Sequence, residues 1–416
     1  MKYLKYKFPV PILMLLTASV MAQNEHIEHM HLDSNPALVF TNVFEQALVH
    51  APQALSGEAR QAQADDYKAF GNSWFAGPPS LNLTFIDDRA RTNVGLQEQE
   101  YGLQLPLWRL GEKASTEVLG NLYQGQADIW TDWFRWEVAG NLRSVLADIE
   151  AAETLMTIEQ AAQARADELH AITQRMFELG ELSRLDVMQA ETLALEHMKK
   201  VLDAEAGMVD AEREYNVFTG LDERPAEGHR EELTTLVEPV DNHPLLMLLA
   251  SQVSVADAGI RQSEINAKGN PQLTIGTRRE RPDQFQPYID SVGISLNIPI
   301  GGKSIVAART SAARMQKTDA EVALLNAERL LERDIHEAEH GLFVTREALP
   351  LTRQRFALAS ENSKLARTAF EAGELNLIQV IGVLQQEIEA ERELRMLELQ
   401  EQRQITLYNH LIGVMP

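Results

Sequence analysis

The chain has 416 residues, with 38 Lys and Arg against 61 Asp and Glu, a formal net charge of −23. That balance offers phosphates no basic face and argues against nucleic acid as a partner, while a strongly acidic surface favours cations. There is no cysteine, which excludes disulfides, thiolate metal sites, cysteine catalysis and a cysteine-linked lipid anchor.

The start reads as an address. Lys2, Lys5 and Lys7 form a basic region, Pro9 to Ser19 is a short apolar core, and Val20-Met21-Ala22 supplies the small residues a signal peptidase reads. Residues 1–22 are therefore expected to be a cleaved signal peptide, since the apolar run is too short to span a bilayer. His26, His29 and His31, with Met30 among them, form a small soft-ligand cluster that could hold a transition metal; a polar exported N-terminus is the plainer reading.

From here the chain divides into halves that run in the same order: a first repeat over 23–221, an acidic linker over 222–243 and a second repeat over 244–416. Half one opens with an apolar-periodic helix from about Val43 to Ala69 and meets Gly77-Pro78-Pro79. Half two opens at Pro244 with a helix from about Leu245 to Ala267 and meets Gly269-Asn270-Pro271. Alternation follows in each. Leu81, Leu83 and Phe85 alternate with polar residues, then after a polar loop (Asp87 to Gln99) so do Leu103, Leu105 and Leu107. In half two Leu273 and Ile275 answer Val292, Ile294, Leu296 and Ile298 across a loop from Arg278 to Gln286. Period two with polar partners predicts strands with one greasy and one wet face.

Long helices come next. From Glu112 to Met176 there is no proline, and Leu142, Leu146 and Ile149 keep helical spacing; at ~1.5 Å per residue such a run is a rod of about 100 Å. Gly180 stops it, and Ser183 caps a return helix to about Thr219. Half two repeats the plan, with a rod from about Lys303 to Phe370 that Pro350 should kink rather than end, a break at Gly373 and a return to Leu411. The hairpins are the same unit twice: Phe177-Glu178-Leu179-Gly180-Glu181-Leu182 is answered 193 positions on by Phe370-Glu371-Ala372-Gly373-Glu374-Leu375, Tyr215-Asn216 by Tyr408-Asn409, and Gly220 by Gly413. The linker, rich in breakers, is expected to carry a short helix of its own.

Ten residues is the length of a tilted membrane strand, but four strands cannot close a barrel, and an open edge cannot sit in lipid. The chain is expected to oligomerise, a trimer giving about twelve strands, with the hairpins continuing the tube as a coiled-coil duct. Trp74, Phe75, Tyr101, Trp108 and Tyr288 lie around the strands, where aromatic residues anchor membrane interfaces or pack a barrel base.

These duplicated halves, the Pro-led strand pairs, the Phe-x-x-Gly-Glu-Leu tips and the Tyr-Asn-x-x-x-Gly helix ends resemble the TolC family of outer-membrane efflux proteins over nearly the whole mature chain, and look closest to its CzcC-like heavy-metal branch. The resemblance implies a mainly α fold with a small membrane β-barrel: four strands and two long coiled-coil hairpins per chain, assembled as a trimeric channel-tunnel. It implies a Gram-negative outer-membrane location, outer-membrane lipid around the barrel, and a periplasmic adaptor (a membrane fusion protein) and an inner-membrane RND-type pump as partners. It also implies a passive exit duct without cofactor or enzymatic activity, with heavy-metal cations as first cargo and drugs, small organics or secreted proteins as alternatives. Adaptor docking carries over to Gly180, Glu181, Leu182 and Ser183 and to Gly373, Glu374 and Leu375. A periplasmic gate carries over to Asp186 and, in the second repeat, to Gln379, where well-known members have aspartate; Gly382 departs in the same way.

Two motifs compete. His336-Glu337-Ala338-Glu339-His340 is a literal H-E-x-x-H, which on a helix sets both imidazoles on one face as a zinc hydrolase requires. Its third ligand would be Glu361, about 30 Å away along an unbroken helix, so a solvated helix face is expected instead. Gly301-Gly302-Lys303-Ser304 ends like a phosphate loop, but Asn297 stands where the motif needs its first glycine. A periplasmic coiled-coil scaffold is the remaining alternative; it would lack bilayer-length strands.

Overall fold

The computed structural model describes residues 31–234 and 242–415; from Leu32 onward they form one compact unit. The signal-peptide reading and His26 and His29 lie outside the described residues. The elements run β1 (Asp33–Asn35), α1 (Phe40–His50), α2 (Ala54–Gly71), β2 (Ser80–Asp87), β3 (Gln97–Pro106), α3 (Glu112–Glu178), α4 (Arg184–Thr219), β4 (Glu223–Pro225), α5 (Pro244–Asn266), β5 (Gln272–Arg281), β6 (Ile289–Asn297), α6 (Lys303–Glu371) and α7 (Leu377–Leu411). The fold is mainly helical, as expected, with one four-stranded sheet and, beyond the four strands expected, a two-stranded one made by β1 and β4.

The 193-residue offset survives in three dimensions. α3 ends at Glu178 and α6 at Glu371, α4 starts at Arg184 and α7 at Leu377. Gly180 and Gly373 have φ of 81° and 76°, and Gly220 and Gly413 have φ of 72° and 84°. Nothing lies within 4 Å of a Cβ built on Gly180 or Gly373, so glycine is needed there for its backbone angle and not for space. α6 runs through Pro350, which is exposed, so water can satisfy the carbonyl one turn back.

Three expectations need correction. The single helix over Val43–Ala69 is two: Pro52 forces Ala51 into extended backbone (ψ 124°), as a proline does to the residue before it. The second polar loop is shorter than expected, because β5 continues to Arg281, pairing Arg278 with Glu100 and Arg281 with Gln97 on β3. The linker carries no helix among its described residues. It forms β4, parallel to β1, and then a strap over 226–234 held down by side chains. Arg143 of α3 donates to Glu231 at 2.7 Å, and Asn409 of α7 donates to Glu231 at 2.8 Å and to the Glu232 carbonyl. Bound this way, the strap has no call on helical hydrogen bonds.

The core lies where α1, α3, α4 and α5 meet, around Val43, Phe44, Trp130, Phe134, Leu142, Leu146, Met208 and Tyr215; a second apolar cluster, around Ala162, Leu169, Leu193, Phe370, Leu377 and Leu384, joins the hairpins near their tips. At the junction between sheet and helices, Arg109 donates to the carbonyls of Lys268, Gly269 and Pro299, and Asn270 donates to both oxygens of Glu112. This clasp ties the first repeat to the second.

Candidate functional site: the sheet faces and the hairpin tips

The sheet has the order β2-β3-β5-β6, antiparallel throughout, with β2 and β6 as free edges. Register aligns like with like across all four strands. Leu81, Leu103, Ile275 and Ile294 form one row, and Leu83, Tyr101, Thr277 and Val292 the next; Leu105, Leu273 and Leu296 extend the same face. The opposite face carries Ser80, Gln104, Thr274 and Ser295 in one row and Asn82, Gly102, Gly276 and Gly293 in another. One surface is thus apolar and the other polar, the alternation that a lipid-facing sheet with a wet interior needs.

The apolar face is uncovered: Leu81 is 77% exposed, Val292 78% and Ile294 73%. A Cβ on Gly276 would lie 2.5 Å from the Tyr101 carbonyl oxygen, so glycine there lets the β3 and β5 backbones close in. Aromatic residues bracket the band. Trp74 and Trp108 lie at the helix end, where Trp108 donates to the Ser73 carbonyl at 3.0 Å, with Phe75 close by in sequence; Tyr288 and Phe285 lie at the loop end, and Tyr101 meets Phe85 edge-on within it.

At the other extreme are the tips. Glu181, Leu182 and Ser183 follow Gly180, and Ser183 caps α4: its Oγ accepts from the Asp186 amide while Asp186 Oδ2 accepts from the Ser183 amide and hydroxyl. After Gly373, Glu374 and Leu375, Asn376 and Gln379 make the same reciprocal box on α7. Asp186 and Gln379 therefore occupy equivalent places, both spent on local caps, Asp186 half-buried and Gln379 exposed. Leu182 and Leu375 pack against the cluster that joins the hairpins, while Glu181 and Glu374 point to solvent.

The competing motifs do not assemble. His336, Glu337 and His340 are exposed, with Glu337 3.7 Å from Arg333, and Glu361 is exposed further along the same helix. His31 is exposed, and among the described residues no group of three His, Asp or Glu could hold a metal. Sequence reasoning missed two buried polar networks. One is the Arg143–Glu231–Asn409 clamp. Burial alone would raise the Glu231 carboxyl, but hydrogen bonds from His229, Arg143 and Asn409 outweigh it and hold it down to about 2. Near it, burial pushes His243 and His410 down to about 4; both rings pack on Trp136. The other joins Glu159 of α3, Arg392 of α7 and, 3.9 Å from Glu159, His197 of α4. The one usable signal was Asn409, flagged by its repeat at Asn216.

With this geometry in view, likeness to solved structures decides the fold. The chain aligns with CusC over 99% of both chains at a TM-score of 0.73 and 14% identity. It aligns with VceC from Vibrio cholerae over 90% of this chain and 95% of that one (0.71, 13%), and with CmeC from Campylobacter jejuni over 90% and 83% (0.68, 14%). The fold is that of these outer-membrane channels. No family model and no curated protein matches the sequence. Among the described residues no helix is long and apolar enough to cross a membrane.

Proposed function

We propose that this protein is the outer-membrane exit duct of a tripartite efflux system of the TolC family, a homotrimer whose three sheets close one barrel of about twelve strands. The observation that carries this reading is the sheet: four strands of 8 to 10 residues, apolar on one face and polar on the other, with both edges unpaired. In lipid those edges must find partners, and a second and third copy supply them. The uncovered apolar residues of α4 (Met188, Leu195, Leu202) and α6 (Val344, Leu351, Leu358, Leu365), seven apart as in a coiled-coil seam, support the same assembly along the helical tunnel.

In this reading the two outer-membrane efflux repeats span 23–221 and 244–416 around the linker 222–243. The tips at Gly180–Ser183 and Gly373–Leu375 meet a periplasmic adaptor, and Asp186 and Gln379 line the periplasmic gate. The chain conducts passively and does no chemistry; an RND-type pump in the inner membrane supplies the energy. Heavy-metal cations are the first cargo, supported by the charge of −23, with drugs or small organics second. The test is direct. The protein should fractionate with outer membranes, need detergent for release and weigh three chains by light scattering; a detergent-free monomer would sink the proposal. Deleting the gene and measuring tolerance to zinc, cobalt, cadmium and copper against a drug panel separates the cargoes.

A further inference from the structure

At the loop end of the sheet the charges are sorted by face. On the polar face Glu98, Glu100 and Glu280 surround Arg278, whose guanidinium lies 2.7 Å from both Glu98 and Glu280. That cation is fully answered. On the apolar face, immediately beyond the last greasy row, Arg279 and Arg281 stand two residues apart on β5, and both guanidiniums lie over the ring of Tyr288, at 4.6 and 4.9 Å from its centroid. Two carboxylates lie near them: Asp290, largely exposed and 3.6 Å from Arg279, beyond hydrogen-bond length, and Asp283, which feels the charge of Arg281 while its oxygens accept from the Phe285 amide and from Gln286. Gln97 and Gln99 on β3 are neutral, and Asp87, on the far strand β2, is already paired with Arg89 at 2.7 Å. Arg281 donates to the Gly95 carbonyl at 3.4 Å, and Tyr288 donates to Gln97 at 2.5 Å, which fixes the ring beneath both cations.

The result is a pair of arginines that neither carboxylate meets at hydrogen-bond length, on the apolar face at the rim of its greasy band. Stacking on one ring holds two planar forks side by side, the geometry in which arginine takes phosphate oxygens in pairs. The site lies at the sheet end away from the helices. If the helices are periplasmic, as proposed above, that end meets the outer leaflet, and this inference rests on that reading. We infer that Arg279 and Arg281, seated on Tyr288, bind the phosphates of an anionic outer-leaflet lipid, and so fix the barrel's depth and hold lipid at the β5–β6 rim. The apolar rows directly below would take the acyl chains of the same molecule, which commits the site to a lipid over free phosphate.

The purified full-length protein in detergent can be offered bis-phosphorylated lipid A, its dephosphorylated form and inorganic phosphate, with bound ligand counted by native mass spectrometry. The expected result is retention of the phosphorylated lipid alone, reduced about tenfold or more in Arg279→Gln/Arg281→Gln and unchanged in Arg278→Gln on the inner face. Arg279→Lys/Arg281→Lys, which keeps charge but loses the forks, should fall between and serves if the Gln pair misfolds. Equal retention by the Gln or Lys pairs, equal loss in Arg278→Gln, or equal binding of dephosphorylated lipid or inorganic phosphate would overturn the inference. Wild type that fractionates with outer membranes as a trimer but retains no phosphorylated lipid sinks this site alone; release without detergent sinks the location as well.

Discussion

α3 and α6 hold the same place in the two repeats and have nearly the same length, 67 and 69 residues, yet they live in different surroundings. Ile158 of α3 is 4% exposed, while Leu351, its counterpart 193 positions on, is 68% exposed. α3 is wrapped by α2, α4, α5 and α7 and carries Trp130, Phe134 and Trp136 into the core; α6 meets α5 and α7 and leaves a heptad-spaced apolar stripe bare. The seam of α6 is only partly matched in α3, where Ala151, Ile158, Arg165 and Ile172 hold the equivalent positions; the fold of one chain covers Ile158 and leaves Leu351 bare. The difference between the repeats is a difference between inside and edge, and in the proposed trimer the bare seam is where a neighbouring copy would pack.

The sharpest way to break that comparison is to put the same charge into both seams. Ile158→Glu buries an unpaired carboxylate at a cost of several kcal/mol and should leave little folded protein by circular dichroism. Leu351→Glu should keep its helices and melt as a monomer, while light scattering loses the trimer; a Leu351→Glu trimer as stable as wild type would refute the α6 seam as an interface.

Next in size is the clamp between the first hairpin and the linker. Arg143→Met strips the partner from a buried carboxylate and should cost about 3–5 kcal/mol, read as a lower melting temperature. Glu231, ordinarily at 4.5, is held at about 2 in the folded chain. Its stabilisation is therefore complete above about 4.5 and lost as pH falls toward 2, and in Arg143→Met the acid limb should move to higher pH.

A smaller effect comes from the histidines packed on Trp136. His243 and His410 ordinarily titrate near 6.5 and are held at about 4 by burial. The unfolded chain then binds protons that the folded chain refuses, so stability falls as pH drops from 6.5 to about 4. His410→Gln should flatten that slope in a pH series of melts. Gly140→Ala would set a methyl 2.3 Å from the His410 ring and should cost about 1–3 kcal/mol.

The smallest effects lie at the tips, where the repeats should behave alike. Ser183→Ala and Asn376→Ala each lose a cap worth about 1 kcal/mol, visible as faster amide exchange in the first turns of α4 and α7. A much larger loss at Ser183, or a conductance change for Asp186→Ala without one for Gln379→Ala, would give Asp186 a gating duty beyond its cap.

Sequence alone settled whatever repeats locally. Turn glycines at 180 and 373 require positive φ, polar–apolar alternation requires two-faced strands, and long proline-poor runs require rods; each follows from a few neighbouring residues and was legible to within a few positions. Ala51 broke the first helix for an equally local reason that periodicity alone overlooked. Only the folded chain decided which acid met which base: that Glu231 would reach Arg143 and Asn409 from far along the sequence, and that the Tyr288 ring would carry two arginines. Such pairings depend on the register of β5 with β6 and on the packing of α3 against α7. Side chains of one charge are interchangeable to a sequence pattern, and distance in space is what tells them apart.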